Sequence, residues 1–129
     1  MGGADAGVLI VDDNPDTRES IKFLLEAHGY TVQTAEDGRD ALDQLRGGPV
    51  PNLILLDLMM PRMDGFAFRQ AQLQDQRLAR IPVIVYSGHH DPEANAERLQ
   101  AAAYFQKPVD VDALMRLVET HVRAAQPTS

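Results

Sequence analysis

Short apolar runs recur along the chain, and each is followed by a longer stretch in which apolar residues return every three or four positions. The runs are Val8 to Val11, Thr31 to Ala35, Leu53 to Leu56, Val83 to Tyr86 and Ala103 to Gln106. Their brevity and β-branched content predict strands, and the stretches between them predict amphipathic helices. After the first run, Asn14-Pro15 offers a cap and a first-turn proline, Ile21, Leu24, Leu25 and His28 fall on one helical face, and Gly29 stops the pattern. Similar stretches at Arg39 to Arg46, Phe66 to Leu73, Pro92 to Ala102 and Val111 to Arg123 complete an alternating (βα)5 order. Strands such as LILL and VIV are apolar without alternation, which implies burial on both faces. The expected architecture is therefore α/β, a doubly wound parallel sheet of five strands with helices on each side. In such sheets ligands lie at the carboxyl ends of the strands, near a topological switch point.

The residues at those ends carry the chemistry. Asp12 and Asp13 follow the first run, Asp57 follows LILL, Ser87 follows VIVY and Lys107 follows AYFQ. Three carboxylates converging within roughly 4 to 6 Å repel one another by about 4 kcal/mol per close pair at an effective dielectric near 20. Either one acid stays protonated or a cation occupies the cluster. An all-oxygen set suits Mg²⁺ or Mn²⁺, which retain waters and share a phosphate as ligand. Ser87 offers a hydroxyl donor and Lys107 a point charge for phosphoryl oxygens. Together these residues read as a phosphoryl-transfer site with Asp57 as nucleophile.

Totals narrow the context. At 129 residues the chain has room for one domain and a single buried core, and 44% hydrophobic with 24% charged residues is a globular mixture. The expected layout is a flexible tail at 1–7, the folded domain at 8–123, and a tail or linker stub at 124–129. A formal net charge of −7 disfavours direct contact with nucleic acid or an anionic membrane. With no cysteine, disulfides and thiolate metal sites are excluded. The amino terminus MGGADAG lacks the basic and apolar regions of a signal peptide, so a cytoplasmic location is expected.

The pieces VLIVDDNPD, LILLDLMMPRMDG, PVIVYSG and YFQKP, taken together, resemble the receiver domain of two-component response regulators, over about Val8 to Val122. The resemblance implies a sheet in the order 2-1-3-4-5, the flavodoxin-like order shared with chemotaxis receivers. It implies that Asp57 accepts phosphate from a histidine kinase, and that Asp13 binds Mg²⁺ directly with Asp12 assisting through water. Met59 would add a backbone carbonyl, and Ser87 and Lys107 would bind the phosphoryl group. Tyr104 matches the aromatic whose rotamer accompanies movement of Ser87 on activation. Met59 and His89 match the positions that flank the path of the hydrolytic water, where they would tune phosphate lifetime. Position 100 is Gln where the family often has glycine. The Ala-rich segment Ala94 to Ala103 is either a smooth docking face or simply a good helix former; with Tyr104 and the last helix it would form the face that related receivers use for homodimers or downstream protein partners, and upstream the partner would be a sensor histidine kinase or a phosphotransfer protein.

Simpler explanations exist for several residues. Adjacent acids before Asn14-Pro15 could serve only as helix caps. Asp64-Gly65 is read as turn chemistry and not as a second acceptor. His89-His90 lacks the spacing of a metal site, and His28 reads as a helix-end residue favoured by the dipole. Two rival functions stand beside the phosphoacceptor. One is a phosphorylation-independent interaction module on the same fold, which the full set Asp12, Asp13, Asp57, Ser87 and Lys107 disfavours. The other is an aspartyl-nucleophile phosphatase of the haloacid-dehalogenase type, which needs a second acid two residues after the nucleophile, where this chain has Met59. The expected chemistry is self-directed, a signalling domain and not a turnover enzyme.

Overall fold

The computed structural model describes residues 7–58, 64–87, 99, 101–106 and 110–125. Its strands are β1 (Gly7–Val11), β2 (Thr31–Ala35), β3 (Leu53–Asp57), β4 (Val83–Ser87) and β5 (Ala103–Gln106). The helices are α1 (Pro15–Ala27), α2 (Gly38–Gly47), α3 (Gly65–Leu73) and a last helix, Val111–Ala125. All strand pairings are parallel, in one sheet ordered β2-β1-β3-β4-β5. The helix expected at Pro92 to Ala102 lies almost wholly outside the described residues. β1 starts at Gly7, one residue inside the expected tail, because Gly7 pairs with Thr31 and its N–H donates to Asn52 Oδ1 at 2.8 Å. The last helix likewise runs two residues past Arg123.

Period-two alternation divides each central strand between two cores. Leu9, Val11, Ile54, Leu56, Val83 and Val85 pack with Ala41, Leu42, Leu45 and Phe68 of α2 and α3. Val8, Ile10, Leu53, Leu55, Ile84 and Tyr86 pack on the other face with Ile21 and Leu25 of α1 and with Leu114, Val118 and Val122 of the last helix. Each such side chain, buried from water, contributes about 1.5–3 kcal/mol before the entropy of ordering is subtracted. The two cores explain the unbroken apolar runs: every position of β3 is buried.

α1 begins as its sequence implies. Asn14 is the N-cap, its side chain accepting from the backbone N–H of Asp16 and Thr17 at 2.9 and 3.2 Å, and Pro15 opens the first turn. At the other end His28 does not join the buried face. It caps the helix, its Nδ1 standing 2.8 Å from the carbonyl oxygen of Leu24. Gly29 then adopts φ 94°, a conformation glycine takes without strain, and releases the chain into β2.

Candidate functional site

Sheet order brings the acids together. Because β1 and β3 are neighbours, the ends of two strands distant in sequence open onto one crevice, the switch point of this topology. Val11 pairs with Leu56, so Asp12 stands one step beyond, alongside Asp57. Asp12 is fully buried, Asp57 is 3% exposed and Asp13 is exposed. One carboxylate oxygen from each lies within 4.8 Å of those of the others. Three hard anionic oxygens at that spacing could hold a divalent cation, and the donor set fits Mg²⁺.

Asp12 is held from several directions. Its N–H donates to the carbonyl of Ala35 at 3.1 Å, extending the β1–β2 ladder by one residue. Its backbone carbonyl accepts from Arg18 Nη1 at 2.7 Å, tying the strand end to α1. Oδ1 accepts from the backbone N–H of Asn14 at 2.8 Å, and Oδ2 accepts from the hydroxyl of Tyr86 at 2.6 Å. Burial, reinforced by the negative charge and the hydrogen bond of Asp12 and by the nearby charges of Asp57 and Asp13, pushes the Tyr86 phenol well above its usual 10.0. The phenol therefore stays protonated and serves as a donor.

Neither Tyr86 nor Arg18 was singled out by the sequence reading. A signal for Tyr86 was present, since a phenol closing the buried run VIVY must find a polar partner, but the register that sets it on the same face as Asp57 comes from the sheet. For Arg18 there was no comparable signal.

Of the other expected site residues, Ser87 is the last residue of β4, and its backbone is paired with Gln106. Tyr104 lies on β5, paired with Val85 and 40% exposed. Met59, His89, His90, Gln100 and Lys107 lie outside the described residues, as does most of the Ala94 to Ala103 segment. Asp64 is the N-cap of α3, accepting from the N–H of Ala67 at 2.9 Å, so the Asp64-Gly65 pair starts a helix instead of forming an isolated turn. None of the described helices is long and apolar enough to cross a membrane.

The family model described as the response regulator receiver domain matches residues 8–119. An uncharacterized 14.6 kDa protein of Leptolyngbya boryana is 37% identical over 96% of this chain and 95% of its own length. PilH of Pseudomonas aeruginosa is 34% identical over 88% of this chain and 94% of its own. RpaA of Synechocystis, a DNA-binding transcriptional regulator, is 35% identical over 90% of this chain, but the match spans only 48% of RpaA. Among solved structures, the receiver domain of a histidine kinase from Syntrophus aciditrophicus superposes with a TM-score of 0.85 at 29% identity, covering 96% of this chain and 95% of that one. TrrA of Thermotoga maritima, in complex with Mg²⁺ and BeF, gives 0.79 at 27%, covering 90% and 98%.

The chain thus belongs to the response regulator receiver family. It is a receiver domain of two-component signal transduction, and the pocket of Asp12, Asp13 and Asp57 is consistent with a phosphoacceptor role.

Proposed function

We propose that Asp57 is the phosphoacceptor, taking a phosphoryl group from a phosphohistidine of a sensor histidine kinase or a phosphotransfer protein. A carboxylate oxygen of Asp57 forms the new P–O bond while the donor's P–N bond breaks, the electron pair leaving with the imidazole nitrogen. The observation that carries this reading is the convergence of three carboxylates, two of them buried, at the junction of β1 and β3. Asp13, Asp57 and the backbone carbonyl of Met59 would hold Mg²⁺, with Asp12 acting through water; Mn²⁺ would substitute. The cation would supply charge neutralisation, relieving carboxylate repulsion and the charge on the transferring group.

Ser87 and Lys107 bind the phosphoryl oxygens, Ser87 as a hydroxyl donor at the end of β4 and Lys107 as a cation beyond the end of β5. Tyr104 follows Ser87 as the second member of the switch, and Met59 and His89 set access for the hydrolytic water. Phosphorylation biases two packings of the domain, and a protein partner or a second copy reads the difference. The self-directed chemistry makes this a signalling domain, working in the cytoplasm and not turning over an external substrate.

Incubation with Mg²⁺ and either phosphoramidate or acetyl phosphate should add one acid-labile phosphoryl group. Asp57→Asn should abolish the label and Asp64→Asn should retain it. The reverse pattern overturns the assignment, and failure of the wild type to label favours an interaction module that works without phosphorylation.

A further inference from the structure

We infer that Tyr86 is a positioning residue for the cation site, its phenol holding the Asp12 carboxylate in the orientation that the cation and its water shell require. This rests on the phosphoacceptor reading and adds to it a residue from outside the acidic cluster. Tyr86 is the register partner of Asp57 in the β3–β4 pairing, and β1 lies on the far side of β3. Its side chain therefore spans a strand, crossing the row that Asp57 occupies to reach Asp12, about 10 Å away at the usual strand spacing.

That reach has a chemical purpose that packing alone does not demand. A Phe or Leu in a fully buried strand position fills the core without needing a polar partner, whereas a buried hydroxyl must find one. Here the partner is an acid of the candidate site, at 2.6 Å, within the range of a charge-assisted O–H···O⁻ bond. With the Asn14 amide on Oδ1 and the Tyr86 hydroxyl on Oδ2, each oxygen of Asp12 has a donor, and its plane is set. A carboxylate offers about four lone-pair sites, so these two donors do not by themselves exhaust it. The same donor draws off part of the negative charge that Asp12 presents to Asp13 and Asp57. Without the hydroxyl, the cation would have to reorient Asp12 against that repulsion. Loss of hydrogen-bonding partners behind metal ligands typically weakens metal affinity about 10- to 100-fold, and because Asp12 acts through water the low end of that range applies to Tyr86.

Tyr86→Phe removes the oxygen and keeps the ring. In the full chain, calorimetric titration with Mg²⁺ should show about a tenfold weaker Kd, and the Mg²⁺ needed for half-maximal phosphoramidate labelling should rise in step. The labelling rate at saturating Mg²⁺ should fall by less than about twofold, the split expected of a residue that acts through metal occupancy. Combined with Asp12→Asn, the tyrosine substitution should cause no further loss of Mg²⁺ affinity, because the group it positions has already been changed. An unaltered Mg²⁺ affinity in Tyr86→Phe, or a loss that simply adds to that of Asp12→Asn, overturns the proposal. A wild type that neither binds Mg²⁺ nor takes label overturns the phosphoacceptor reading and this inference with it; a wild type that does both, beside an unaffected Tyr86→Phe, overturns this inference alone.

Discussion

Gly65 follows the cap residue of α3, and its significance is spatial. A Cβ there would lie 2.9 Å from Leu58 Cα and 3.0 Å from the carbonyl oxygen of Asp57, both backbone atoms that cannot swing aside. The Gly65 N–H also donates to the carbonyl of Leu58 at 3.0 Å, drawing α3 against the end of β3. Gly65→Ala is therefore expected to destabilise by about 1–3 kcal/mol, the usual cost of overpacking, as read from urea midpoints. Because the displaced backbone includes Asp57, phosphoramidate labelling should slow as well. Unchanged stability together with unchanged labelling would show that α3 can retreat freely from the strand. Composition marked Asp64-Gly65 as a place where the chain bends. It did not show that the bend is pressed against the end of β3, because that contact depends on the helix packing angle.

α3 shows a local pattern overruled by its surroundings. Read as a helix, Phe66 to Leu73 offers Phe66, Phe68 and Leu73 as apolar candidates for the core. Phe68 is buried, yet Leu73 is exposed, while Arg69 and Gln72 are buried. Arg69 donates from Nε to the carbonyl of Leu99 and from Nη1 to Gln72 Oε1, both at 2.8 Å. Gln72 donates from Nε2 to the carbonyls of Leu78 and Ile81 at 2.9 and 3.0 Å. Burial lowers the Arg69 pKa from its ordinary value, but a guanidinium remains cationic through the physiological range. This network fastens α3 to the connection that leads into β4. Gln72→Ala should cost about 1–3 kcal/mol by removing the amide that serves both carbonyls and leaving a void. The check is chemical denaturation, and a change below about 0.5 kcal/mol would mean that water replaces the amide fully. Periodicity located this helix to within a residue, because hydrophobic spacing is a local property. The polar contacts lay beyond its reach, since Arg69 meets Leu99 across 30 positions.

At the scale of the whole domain, the sheet gathers like charges and the fold must tolerate them. Anything that binds the native state and not the unfolded chain stabilises it by RT ln(1 + [L]/Kd), about 2.7 kcal/mol at a hundredfold excess over Kd. Millimolar Mg²⁺ should therefore raise the melting temperature by several degrees, and Asp13→Asn should diminish the rise. A melting curve indifferent to Mg²⁺ would count against the acidic pocket as a cation site. The order β2-β1-β3-β4-β5 agrees with the order that the family resemblance implies. Of the described helices, α1 and the last helix cover one face of the sheet, α2 and α3 the other.

The sequence by itself determined the alternation of elements, the burial of both sheet faces and the placing of Asp12, Asp13 and Asp57 at strand ends. These follow from spacing along a chain whose geometry repeats every two or 3.6 residues. Tertiary structure alone decided which oxygen of Asp12 meets Tyr86, 74 positions away, that Arg69 and not Leu73 turns inward, and that Gly65 leaves no room for a methyl group. Such contacts depend on strand register and on the angle at which a helix settles, and neither is written in the period of any one segment.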